Sequence, residues 1–333
     1  MKGKSFAVLG MACVLLTAGC RRAAPQLTAV LSAPPADLAV PAAGLSAEAS
    51  GNWEAALAEY YEVVDREPGR FDLWVRIADI HSRQGNLTKV IMALEKAAAA
   101  GDGADLYFRL AQAHSQANEA EDAFKAVDIA VAREPRNPEY LKARGQLANW
   151  IGRPRIAADS YRRLHALSPA DDEALLNLAR AEAWSGDLDR AVRHYSRYLA
   201  GRPMEKTVWI EYVNAQVWRG NFAAASKILD RYRKMFGEER AFRKALADIL
   251  ARADRPRQAL AIARQLLRDD PRDYPALFSS IIALKYDNRP REALERLPQL
   301  MALRPDSREN DEIERFVRTP LRPDIRLAPY GYY

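Results

Sequence analysis

The stretch 183-AWSGDLDRA-191 carries the reading of the fold, because the chain repeats it. Cousins stand at 149–157 (NWIGRPRIA) and 217–225 (VWRGNFAAA). Each copy places Trp two residues before Gly and Ala five residues after it, and neighbouring copies lie 34 residues apart. The period extends outward in both directions. Ala123, Ala157, Ala191, Ala225, Ala259 and Ala293 recur at 34, and so do Pro135, Pro169 and Pro203, then Pro271 and Pro305, with Gly237 in the vacant place. Ala56 and Pro68 continue both series after one deleted residue. A period of this length predicts small modules that cannot bury their apolar faces alone and therefore stack.

The unit starting at Asp172 shows why each residue type recurs. Leu175, Leu178 and Ala179 share one face at helical spacing. Gly186 suits the left-handed backbone that ends a helix. Ala191 is small enough to let a second helix approach, Tyr195 and Tyr198 fill the space between units, and Pro203 stops the second helix. In these residues the chain resembles the tetratricopeptide repeat, a helix–turn–helix unit, over roughly residues 46–307. The resemblance implies an all-α superhelical solenoid of antiparallel helix pairs, about seven to eight repeats long. Full units start at 71, 104, 138, 172, 206, 240 and 274, and an earlier, degenerate unit keeps its second helix in GNWEAALAEYYEVVDREP (51–68). Residues 308–333 follow as a capping helix, RENDEIERFVR (308–318), and a loose tail.

The first 19 residues read as an address. MKGK supplies positive charge, an apolar run too short to span a bilayer follows, and LTAGC ends at Cys20. This resembles a bacterial lipoprotein signal, which implies cleavage between Gly19 and Cys20 and lipidation of Cys20. An ordinary cleaved signal is the alternative. Thr17 stands where Leu is commoner in the family. Cys13 would leave with the signal, so Cys20 would be the one cysteine of the mature chain, and acylation would consume its thiol. Arg21 stands where inner-membrane lipoproteins carry Asp, so the resemblance implies the periplasmic face of the outer membrane of a Gram-negative bacterium. Residues 20–45, interrupted by Pro25, Pro34, Pro35 and Pro41, read as an Ala/Pro-rich tether.

Charge narrows the partners. The excess of six positive charges is spread over 333 residues with acids interspersed, and a nucleic-acid groove needs a concentrated basic stripe. The four histidines make no metal-ligand pair, there is no Gly-rich phosphate loop, and the carboxylates recur at repeat-equivalent positions as solvated faces. These features imply no cofactor, no metal and no enzyme. A glycan-acting enzyme would have to use carboxylates such as Glu173 and Glu211, which lack an apolar shell to raise a pKa.

Number each unit from one. Positions 4, 7, 8 and 11 pack inward, and positions 2, 6, 9 and 13 form a stripe almost opposite. In the family that stripe lines the concave groove. Trp150, Trp184 and Trp218 occupy position 13, as does Tyr286, and their stripe-mates include Gln146, Asn177, Arg180, Glu211 and Asn214. Two readings follow for the indoles: a platform that stacks on sugar rings or clamps an extended peptide, or a wedge plugging the gap to the next unit. Family members that grip a C-terminal carboxylate use Lys, Asn and Arg; Lys142, Asn177 and Arg180 match in part, and Ile210 departs from the pattern. The Trp-x-Gly form of the repeat resembles periplasmic domains that accompany exopolysaccharide export, while small lipoproteins of the same family assemble pili and secretins. The implied role is a non-catalytic scaffold. Its partners would be envelope-assembly proteins of the polysaccharide-export or pilus machinery, with polymer in the groove as a further option. The lipid anchor would be its sole membrane contact.

Overall fold

The computed structural model describes residues 40–101, 103–253, 255–305 and 307–319. The signal, Cys20, the start of the tether and the tail from residue 320 lie outside the described residues. Those described form helices and no strand. The helices run α1 Ala42–Ala49, α2 Trp53–Arg66, α3 Phe71–Arg83, α4 Leu87–Ala100, α5 Ala104–Gln116, α6 Ala120–Arg133, α7 Pro138–Trp150, α8 Pro154–Leu167 and α9 Asp172–Ser185. They continue as α10 Leu188–Gly201, α11 Lys206–Trp218, α12 Phe222–Phe236, α13 Arg240–Arg252, α14 Pro256–Asp269, α15 Tyr274–Tyr286, α16 Pro290–Leu303 and α17 Arg308–Arg318. From α3 onward each odd helix to α15 begins on the first residue of a repeat unit, spaced by 33 residues between α3 and α5 and by 34 thereafter. None is long and apolar enough to cross a membrane. Two compact units divide within α9: described residues up to Leu178 belong to one, and those from Ala179 to the other.

The degenerate first unit keeps a first helix as well. Residues 42–45, expected at the end of the tether, are the first turn of α1, and Gly44 is buried against the Tyr60 ring.

The turn is built the same way within the pairs whose turn residues are all described. A left-handed residue follows the first helix at Gly85, Asn118, Gly152, Gly186, Gly220 and Asn288. The next N–H then reaches back to the first helix's last turn: Asn86 donates to the His81 carbonyl at 2.9 Å, Asp187 to Glu182 at 2.9 Å, Asn221 to Gln216 at 2.9 Å. That six-residue closure satisfies carbonyls a helix end would otherwise orphan. Asn86, Asp187 and Asn221 also cap the second helix, each accepting from a first-turn N–H.

The helices meet at the alanine column. Ala56, Ala123, Ala157, Ala191, Ala225, Ala259 and Ala293 are all fully buried, as close approach of two helices requires. A second column trades size between facing helices. Gly145 at position 8 of α7 faces Tyr161 of α8, and a β-carbon there would lie 2.8 Å from the ring. One polar intruder is accommodated: Arg144, at an inward position, donates to Asp128 at 2.6 Å and to the buried Ser160 hydroxyl at 3.1 Å. In the other unit α17 closes the core with Ile313 and Val317. The buried Lys285 of α15 donates to the Val317 carbonyl at 2.7 Å, a cation placed at the negative end of α17.

Gly145→Ala tests the size trade. Alanine should favour an isolated helix by about 1 kcal/mol, whereas overpacking against Tyr161 costs about 1–3 kcal/mol. The expected outcome is a net loss of about 1 kcal/mol in the denaturant midpoint, and a gain would show that the ring can withdraw.

Candidate binding groove on the first helices

In the unit beginning at Ala179, the first helices α11, α13 and α15 lie side by side and enclose a pocket of about 310 Å³. Its position follows from side-chain size. Ala241 and Ala245 sit one turn apart on α13, and the space they leave is bounded by Ile210 and Trp218 of α11 and by Pro275 and Phe278 of α15. Charges ring the opening. Lys206 pairs with Glu239, Lys244 with Asp273 at 2.8 Å, and Arg252 with Asp248 at 2.9 Å. Ion pairs around an apolar floor suit one large side chain of a polar segment.

Asn214 and Trp218 both line this pocket, and Trp218 is half-buried. Trp184 is half-buried on α9. Gln146 and Trp150 are half-buried on α7, in the other unit, and Asn177 is half-buried at that unit's end of α9. Tyr286 instead packs on Phe316 of α17, ring centroids 5.7 Å apart, which is a wedge contact. Lys142 is bound to Glu173 at 3.0 Å.

Arg180 and Glu211 hold each other. The guanidinium donates through Nε and Nη2 to the two carboxylate oxygens, both at 2.9 Å, and Glu211 is only 7% exposed. Burial works against the Arg180 charge, but Glu211 outweighs it and raises the guanidinium pKa. The neighbouring Tyr195 phenol is pushed far up by burial and then by the Glu211 charge. A pair at the same two positions, with the charges exchanged, joins Asp79 of α3 to Arg109 of α5 in the other unit. Groove-stripe charges therefore stitch consecutive first helices together.

Asp273 anchors the far wall. Its carboxylate caps α15 through the Ala276 N–H at 3.2 Å and receives Arg240 at 2.6 Å and Lys244 at 2.8 Å. Burial pushes its pKa up, yet the hydrogen bonds from Lys244 and Arg240 win and hold it below the ordinary carboxylate range.

The groove stripe was legible, but the pocket on it was not. Aromatic and amide residues drew the reading to positions in α7, α9 and α11, while the pocket centres on α13, where the stripe is Ala241, Ala245, Asp248 and Arg252. Two alanines on an outward face were the available signal. Among the described residues no cluster of three or more His, Cys, Asp or Glu is placed to hold a metal ion.

Two measurements test these electrostatics. Arg180→Met should cost about 2–4 kcal/mol by stranding the buried Glu211, and the double variant Arg180→Met/Glu211→Met should recover most of it. Additive losses would mean the pair contributes no coupling. Because the folded pKa of Asp273 is depressed, its contribution is complete above the unfolded value of about 3.9 and is lost as pH falls through the folded value. Thermal scans of Asp273→Asn should therefore show a shallower acid limb than the parent chain.

Tetratricopeptide-repeat family models match residues 42–105, 151–204 and 185–249. The human general transcription factor 3C polypeptide 3 is 31% identical over 140 residues, which cover 41% of this chain and 16% of that protein. Among solved structures, Naa15/Naa10 bound to HypK-THB is similar at 16% identity and a TM-score of 0.52, over 84% of this chain and 44% of that one. The MamA protein is similar at 19% identity and a TM-score of 0.40, over 47% of this chain and 87% of that one. At these identities the structural likeness speaks to fold alone. With the repeated helix pairs, left-handed turns and alanine column in place, the chain carries tetratricopeptide repeats.

Proposed function

We propose that this protein is a non-catalytic interaction scaffold whose groove on α11, α13 and α15 holds an extended segment of a partner protein. The single observation that carries the reading is the apolar pocket of about 310 Å³ over Ala241 and Ala245. Its size suits one anchoring side chain, and anchors in desolvated pockets dominate peptide affinity. A peptide fits better than a sugar polymer, because a sugar platform needs open aromatic faces and the indoles of Trp150, Trp184 and Trp218 are all half-buried.

The setting we propose is the periplasmic face of a Gram-negative outer membrane, with the chain anchored through a lipidated Cys20. Support comes from the LTAGC stretch, the positive start and Arg21. The partners would be envelope-assembly proteins, first those exporting exopolysaccharide, a choice that rests on the Trp-x-Gly form of the repeat. A pilus or secretin assembly lipoprotein would use the same anchor and groove.

A photo-crosslinking residue at the exposed Thr207, beside the pocket, identifies the occupant in cells. The expected adduct is a defined envelope protein, reduced at least tenfold by Ala245→Leu, which fills the pocket from its buried floor, with circular dichroism checking that the fold is kept. An adduct that Ala245→Leu leaves unchanged would remove the groove from the account. Cys20→Ser should move the protein from the membrane fraction to the soluble one, and unchanged fractionation would exclude the anchor.

A further inference from the structure

The unit ending at Leu178 carries a second groove, on the opposite side of its helix pairs and independent of the first-helix groove. It measures about 590 Å³ and runs between the second helices α4 and α6, with α5 as its floor. Ile91 and Met92 form one wall, Ala126 and Ile129 the other, and Tyr107 and Leu110 the floor. The floor is fixed: the Tyr107 hydroxyl donates to the Ala98 carbonyl at 3.2 Å, and Arg133 lies 4.4 Å over its ring.

Comparison of the chain with itself shows that the walls are exceptions. Met92 is 58% exposed and Ile129 is 37% exposed. Where Met92 stands, later repeats carry Lys125, Asp159, Arg193, Lys227, Ala261 and Glu295. Where Ile129 stands, the others carry Lys96, Arg163, Arg197, Arg231, Gln265 and Gln299. The polar residues there have work of their own, since Arg163 donates to the Pro135 carbonyl and Gln299 to the Pro271 carbonyl. This chain thus places a charged or polar side chain at both sites in almost every later repeat. It abandons that choice at two points, and the two points face each other across one groove. Exposed Met and Ile cost solubility, and an unpartnered apolar groove is what such a cost implies.

The rim selects the occupant by charge. Glu95, Glu119 and Asp122 border the groove, and the one lysine lining it, Lys125, is bound to Asp122 at 2.7 Å. His114 lies against Glu119 at 2.7 Å. The walls are helices of 14 residues each, about 21 Å long, so three to four turns of a further helix fit between them. We propose that this groove docks an amphipathic helix of a partner protein, its apolar stripe on Met92 and Ile129 and its Lys or Arg flanks on the acidic rim. Recognition would be of the helix-in-groove kind, with apolar anchors one turn apart.

The test uses the full chain and two synthetic 16-residue helices of about that length, one with leucines at helical spacing flanked by lysine, the other flanked by glutamate. Fluorescence anisotropy should show the lysine-flanked probe binding at least tenfold tighter than the glutamate-flanked one. Met92→Lys/Ile129→Arg installs residue types the other repeats carry at these sites, so the fold should be kept, and it should weaken the lysine probe at least tenfold. Ile129→Gln, matching Gln265 and Gln299, gives a milder second variant with the same direction of effect. Equal binding of both probes, no binding, or binding unmoved by both variants would overturn the proposal. So would a dimer that the double variant dissociates, which would assign the groove to a second copy. Hydrogen-exchange protection of residues 21–39 lost in the variant would overturn it too, by assigning the groove to this chain's own N-terminal segment.

Discussion

Close approach of two helices over a methyl group is the constraint from which the rest of this architecture follows. An alanine at one place in every second helix but α4, fully buried wherever it recurs, allows the pair to meet at backbone distance. The larger side chains then have to sit to either side, where they reach the neighbouring pair. Tyr195 of α10 reaches Tyr212 of α11 in this way, while Tyr161 is seated within its own pair by Gly145, which gives up even a β-carbon for the ring. Since each pair's apolar surface faces its neighbours, burial is completed only by stacking. The last helix among the described residues, α17, offers Ile313 and Val317 inward, and α15 fixes it through the Lys285 ammonium.

Stacking leaves much of the first-helix stripe uncovered, although α17 covers it at Tyr286 of α15, and the protein uses the stripe in two ways. Where long charged residues occupy it, as with Arg180 and Glu211 or Asp79 and Arg109, they pair across consecutive first helices and make the surface rigid. Where small residues occupy it, as on α13, a pocket opens with an apolar floor. Recognition and stitching therefore compete for the same positions, and side-chain length decides between them. The second helices show a similar economy: charged or polar side chains keep their outer faces solvated in most repeats, and Met92 with Ile129 break the rule at one groove.

The pair-and-turn architecture was legible because its causes are local. A left-handed turn needs Gly or Asn, a cap needs Asn or Asp, and a close crossing needs Ala, so a fixed period exposes all three at once. Even α1 was within reach in principle, since Gly44 stands where most other units carry a small inward residue. Pro41 and the surrounding alanines obscured it.

The sequence by itself determined the register of the helix pairs, the small-residue column and the outward stripe, because helical periodicity alone sorts those residues onto faces. Tertiary structure decided what the stripe does. Whether Glu211 meets a ligand or Arg180, whether Tyr286 faces solvent or Phe316, and where two alanines leave room for a foreign side chain all depend on contacts between residues far apart in the chain. A period of 34 places equivalent residues at equivalent heights but says nothing of which long side chains will find each other, and that pairing is settled by distance and charge once the helices are packed.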